Sequence, residues 1–335
     1  MVAVSAALLA MALASARSST RSDQLAYSKE YAMGTVFEIV AYGPSHSRTS
    51  LAIEQALKEV VRLDHVMSDY IPDSDLSRIN RTAHFHPEAI PRDLYQVIQQ
   101  SLVYSRLSMG EFDITVGPIA QLWKAEIQDG IPPSKATEDK LRRCVGWRNV
   151  VLIPPDRIEF RSPCTAIDLG AIGKGYAVDR AAAVLRSYGI GRALISAGSS
   201  TFYAMGAPPG HAAWTVRLRD PSHKLNPEVS LSGESVSTSE QTRDTEHGNG
   251  PFGHIIDPAK GVPMKTSYAV SVVADSATAS DALSTTLLLM GPARGKDLVK
   301  KLPKVAAIWI PVRGKSEMIS TGPQIKTSSA AGPNR

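Results

Sequence analysis

Apolar positions in this chain switch repeatedly between two periods, and the switches mark its elements. Thr35 to Tyr42 alternates β-type apolar residues with polar ones and predicts a strand. From Ser50 to Met67, Leu51, Ala56, Leu57, Val60, Val61 and Leu63 recur near a 3.6-residue period and predict a helix. Asp93 to Met109 predicts a second helix stopped at Gly110, and Ser134 to Val145 a shorter third. Asn149–Ile153 and Arg157–Phe160 flank Pro154-Pro155-Asp156 as a hairpin. Helices are expected over Ala177–Tyr188, before Gly189, and over Ala277–Met290, before Gly291. Strands are expected at Ala193–Ser196, Trp214–Arg219, Ser235–Ser239, Tyr268–Ala274 and Ala306–Ile310. Strands and helices are interspersed without strict alternation, which points to α+β: one large domain of mixed, mainly antiparallel sheet with packed helices.

The ends differ from the middle. Val2 to Ala14 is a run of small and apolar residues followed by Ala14-Ser15-Ala16, an A-x-A pattern, so residues 1–16 read as a secretory signal peptide. No Lys or Arg precedes the run. Residues 17–29 are expected to be a flexible linker, 30–314 the domain, and 315–335 a disordered tail rich in Ser, Gly, Pro and Lys. The exported destination is periplasmic or extracytoplasmic. Cys144 and Cys164 are the only cysteines, and whether they pair is left open by their spacing.

Composition is that of a globular protein, 43% hydrophobic and 21% charged over 335 residues. The net charge of +5 favours an anionic partner. Its Lys and Arg residues are scattered, without an aromatic-interleaved basic stripe, which argues against nucleic acid. A phosphate-bearing small molecule fits.

Six segments could carry chemistry. Ala166-Ile-Asp-Leu-Gly-Ala-Ile-Gly-Lys-Gly-Tyr-Ala-Val-Asp-Arg180 runs an apolar entry into a glycine-rich helix start carrying Lys174. It fits an anion-binding loop or an ordinary tight turn, and matches neither the P-loop nor the Rossmann glycine pattern. Asp281 and Thr285 lie one helical turn apart, a partial oxygen shell for Mg²⁺ or a helix-dipole carboxylate. His254, before Ile255-Ile256-Asp257-Pro258, is either an acid/base group or a turn residue. Gly110-Glu-Phe-Asp-Ile-Thr-Val-Gly-Pro118 offers Asp113 beside Phe112. Met33-Gly-Thr35 and Ser68-Asp-Tyr…Leu-Ser-Arg-Ile-Asn80 complete the set.

In order and spacing these segments, with Ser280-Asp-Ala-Leu-Ser-Thr285, resemble the ApbE-type FAD:protein FMN transferase family from about Tyr31 to about Trp309. The resemblance implies an ApbE-like, T-fold-like architecture and transfer of the FMN half of FAD to a Thr or Ser hydroxyl of an extracytoplasmic acceptor, with release of AMP. It implies that Met33, Tyr70, Glu111, Phe112, Asp113, Asp168, Lys174 and Ile255 surround FAD. It further implies that Asp281, Thr285 and the Ala171 carbonyl hold Mg²⁺, and that His254 is catalytic. The implied partner is a flavin-accepting protein of an electron-transfer system, compatible with peripheral association with a membrane complex. FAD hydrolysis to FMN and AMP, or flavin binding without catalysis, are the alternatives. The chain departs from the family pattern at Ser196-Ala-Gly-Ser-Ser200, at Thr238-Ser-Glu240, and at Ser284, where some members carry a second Asp.

Overall fold

The structure is a computed structural model and describes residues 23–129, 133–221, 227–241, 254–311, 319–321 and 328–329. The signal-peptide reading of residues 1–16 lies outside the described residues, as do residues 17–22 of the expected linker and most of the tail.

An eight-stranded sheet forms the frame: β1 (Gln24–Ala32), β2 (Thr35–Gly43), β3 (Arg192–Ala197), β4 (Thr201–Met205), β5 (Ser235–Glu240), β6 (Tyr268–Ala274), β7 (Ala306–Pro311) and β8 (Ile319–Thr321). Neighbours in space follow chain order, and every ladder is antiparallel. Among the described residues seven α-helices lie outside it: α1 (His46–Met67), α2 (Asp75–Thr82), α3 (Arg92–Leu107), α4 (Gly117–Asp129), α5 (Lys135–Arg142), α6 (Gly173–Ser187) and α7 (Ala277–Val299). The α+β expectation of a single domain built on a mainly antiparallel sheet is met.

Alternation decides the layers. In β2, Phe37, Ile39 and Ala41 are buried under α1, whose Ala52, Ile53, Ala56, Val60 and Leu63 supply the facing stripe. Strand β7 is buried on both faces. Ala307 and Trp309 meet α7, while Ile308 and Ile310 meet a three-stranded sheet built from Trp214–Arg217, Pro227–Leu231 and Ser328–Ser329. Helices α1, α6 and α7 thus cover one face, and the small sheet covers part of the other.

Two boundary expectations need correction. Residues 24–29 belong to β1 and are not linker; the strand is an edge, and its buried positions are only Ala26 and Ala32, too few to show as a pattern. The tail expectation fails at 319–321, which pairs with β7, and at 328–329, which pairs with Pro227–Leu231. The stop at Gly291 holds as a break: φ there is 70°, and Pro292 opens a second helical stretch merged into α7. Cys144 and Cys164 are joined in a disulfide, their Cα atoms 5.2 Å apart. No helix among the described residues is long and apolar enough to cross a membrane.

Candidate functional site

The glycine-rich segment is held from outside before it enters α6. Asn80 on α2 brackets Ile167: its Nδ2 donates to the Ile167 carbonyl at 2.9 Å, and its Oδ1 accepts from the Ile167 amide at 2.8 Å. The Asp168 amide donates to the Ile114 carbonyl at 2.8 Å, and Asp168 Oδ1 accepts from the Gly170 amide at 2.7 Å. These bonds aim the start of α6 at the start of α7.

That junction is closer than any side chain at residue 175 would permit. A Cβ on Gly175 would stand 2.2 Å from the Ala277 carbonyl oxygen and 2.7 Å from Asp281 Cβ. The Gly175 amide instead donates to Asp281 Oδ2 at 2.9 Å. Asp179, one turn further along α6, caps α7 by accepting from the Ala277 and Thr278 amides, both at 2.8 Å, and from Thr278 Oγ1 at 2.6 Å. The glycine-rich segment therefore serves helix packing. The Gly173 amide goes to the Leu169 carbonyl and the Gly175 amide to Asp281, so neither is free for an anion as the loop reading expected. The cation at this junction is Lys174, whose Nζ donates to the Gly170 carbonyl at 3.0 Å and lies 3.9 Å from Asp281 Oδ1.

Asp281 is buried, and beyond Lys174 its Oδ1 meets a hydroxyl, Thr201 Oγ1, at 3.4 Å. Thr285 Oγ1 lies 3.0 Å from Ser239 Oγ, which is also 2.8 Å from Ser284 Oγ. No group of three or more His, Cys, Asp or Glu able to hold a metal occurs among the described residues. An ion here would rest on one carboxylate and neutral oxygens. The Asp281 carboxylate, the Thr285 hydroxyl and the Ala171 carbonyl are all hard donors, a set that fits Mg²⁺ completed by water or phosphate oxygens.

These groups open on a cavity of about 820 Å³. Met33, Tyr70, Phe112, Asp113, Asp168, Ala171, Lys174, His254, Ile255, Asp281 and Thr285 all line it. Met33 and Gly34 form the two-residue turn between β1 and β2, with φ of 51° and 72°, and the Met33 amide donates to Asp64 Oδ2 at 2.8 Å. Tyr70 stands at the mouth, 75% exposed. His254 is open to the cavity yet closely surrounded. That crowding pulls its pKa below the ordinary value, Lys174, Lys124 and Arg219 pull it further, and Asp168 opposes them. The imidazole is accordingly neutral at neutral pH and able to accept a proton. The segment is held by Gln241, whose Oε1 accepts from the Ile255 amide at 2.6 Å and whose Nε2 donates to the Ile255 and Met264 carbonyls at 3.0 and 2.6 Å.

One expected ligand residue lies away from the cavity, and a second lines it with its carboxylate already engaged. Glu111 does not line the cavity; it pairs with Arg294 at 2.5 Å, because its position on the turn after α3 faces the far end of α7. Asp113 lines the wall, but its carboxylate is filled by the Thr115 amide at 2.8 Å, Thr115 Oγ1 at 2.6 Å and the Trp147 amide at 2.8 Å. Burial pushes its pKa up against those donors, and it is a loop anchor. Sequence reasoning missed Lys124, Thr201, Arg219 and Gln241, and gave Asn80, Asp179 and Ser239 no role. Only the last three sat in recognisable segments.

The chain matches the model of the ApbE family over residues 33–309. It is 28% identical over 305 residues to the FAD:protein FMN transferase of Escherichia coli (strain K12), covering 88% of this chain and 86% of that protein. It is 29% identical over 305 residues to the FAD:protein FMN transferase of Treponema pallidum (strain Nichols), covering 84% and 83%. Among solved structures it superposes on Pseudomonas stutzeri flavinyl transferase ApbE in its apo form with a TM-score of 0.77 and 26% identity, covering 90% of this chain and 95% of that one.

Proposed function

The chain belongs to the ApbE family, and on that footing we propose that it is a transferase moving the FMN half of FAD onto a Thr or Ser hydroxyl of an acceptor protein. The observation that carries the reading is the convergence of Lys174, His254 and the Asp281–Thr285 pair on one cavity large enough for a dinucleotide.

In the proposed reaction the acceptor oxygen forms a bond to the FMN phosphorus, and the bond from that phosphorus to the bridging oxygen breaks. AMP leaves with the electron pair. His254, neutral in its surroundings, takes the hydroxyl proton, a contribution of roughly two to four decades in rate. Lys174 neutralises phosphate charge from the start of α6, and its bond to the Gly170 carbonyl keeps the ammonium at the cavity wall. Asp281 and Thr285, with Ala171, would hold Mg²⁺, which when bound supplies charge neutralisation across the diphosphate. Tyr70 offers a ring face at the mouth to one of the aromatic systems of FAD.

The proposal extends to export, to an extracytoplasmic acceptor of an electron-transfer system, and to peripheral association with a membrane complex. The cleavage-site pattern and the Cys144–Cys164 bridge support an oxidising destination. The test is incubation with FAD, Mg²⁺ and a candidate acceptor subunit, followed by in-gel flavin fluorescence. A fluorescent acceptor band that needs Mg²⁺ is expected. Free FMN without a labelled acceptor means hydrolysis, and intact FAD means binding alone; either result overturns the transferase reading.

A further inference from the structure

Tyr70 poses a physical problem. It sits between α1 and α2 with most of its side chain in solvent, and its backbone amide donates to Ser68 Oγ at 3.2 Å. A ring so placed would sample several orientations, and a ligand stacking on it would have to freeze them. Lys124, reaching across from α4, removes that freedom. Its Nζ lies 4.3 Å from the centre of the Tyr70 ring.

The ammonium is itself pinned. It donates to Asp69 Oδ2 at 3.1 Å and lies 3.6 Å from Asp168 Oδ2. Asp168 is in turn held through its other oxygen by the Gly170 amide. Burial alone would pull the Lys124 pKa down, but Asp168, Tyr70 and Asp69 together raise it, so the group stays charged. A line of restraint thus runs from the glycine-rich segment through two carboxylates and one ammonium to an exposed aromatic ring. The ammonium lies over that ring, and Tyr70 also lines the cavity, where its ring can meet a ligand.

We propose that Lys124 is a positioning residue for ligand stacking: held by Asp69 and Asp168, it fixes the Tyr70 ring to receive a flat heterocycle of the dinucleotide. The inference rests on the reading that FAD occupies this cavity. Lys124 sits in none of the sequence segments that marked the site, so nothing but the fold brings it to Tyr70.

The test is a double-mutant cycle on the full chain, with FAD affinity read by flavin fluorescence titration and folding checked by thermal melting. Lys124→Met should weaken FAD about threefold to tenfold, raising KM while kcat at saturation stays within about twofold. Lys124→Arg should restore most of the affinity. In a Tyr70→Ala background, Lys124→Met should add no further loss. An undiminished affinity in Lys124→Met overturns the proposal. So does an equal loss in both backgrounds, which would mean that the ammonium meets the ligand directly. Failure of the wild-type chain to bind FAD would instead remove the transferase reading and this inference with it.

Discussion

The two sides of the cavity are built on opposite plans. On one side α6 meets α7 through Gly175, Asp179 and Asp281, all drawn into helix-to-helix contacts that leave no room for a methyl group. On the other, Tyr70 and His254 stand open, Tyr70 under Lys124 from α4 and the His254 segment held at Ile255 by Gln241. On the proposed reading, the buried junction is where phosphate and cation would lie. The open side faces solvent, where on the proposed reading the acceptor protein would enter. Changes at the junction should therefore remove turnover or fold, and changes at the mouth should alter affinity or proton transfer.

Asp281→Ala should abolish Mg²⁺-dependent flavin transfer; turnover at the wild-type rate would remove the metal assignment and level the two sides. Next in size, His254→Ala should lower kcat by roughly 10²- to 10⁴-fold while FAD still binds. Because the His254 pKa is lowered, activity in the wild type should fall only as pH drops below about 6.5. Lys174→Met removes one of the charges that depress it, so the acid limb of the pH–rate profile should move to higher pH; a limb that stays put would free His254 from the role. Gly175→Ala should cost about 1–3 kcal/mol of stability in chemical denaturation, through overpacking against Ala277 and Asp281. The smallest effect belongs to Glu111→Gln. Its partner is Arg294, away from the cavity, so FAD affinity should change by less than about twofold at an exposed ion pair. A larger loss would return Glu111 to the ligand set.

Legibility in the sequence followed burial. Tyr268–Ala274 was bounded correctly because its inward and outward residues both meet apolar layers. Strand β1 was invisible because it is an edge whose outward face is Leu, Tyr and Lys in solvent, with only two alanines buried. Helix α4 begins at Gly117-Pro118, where the apolar pattern predicts no helix, so Lys124 carried no signal. The site segments were legible because each concentrates several functional residues within a dozen positions. Their meaning was less so: Gly175 reads as a loop glycine until α7 is seen against it, and Asp179 as one more helix carboxylate until the capped amides appear. Bonds such as Asn80 to Ile167 join residues too far apart for any local pattern to reveal.

The chain-ordered sheet also bears on how the molecule assembles. Strand β2 ends at Gly43 and its neighbour β3 begins at Arg192, so zipping that ladder must wait until α1 to α6 have been gathered beside it. Such a closure is costly in chain entropy and slow to nucleate. In the chain, Met33 and Gly34 precede one strand of that ladder and Lys174 precedes the other, and all three line the cavity. A half-folded chain therefore has no dinucleotide cavity to offer, and a nucleotide that selects the finished form should act as a folding ligand as well as a substrate.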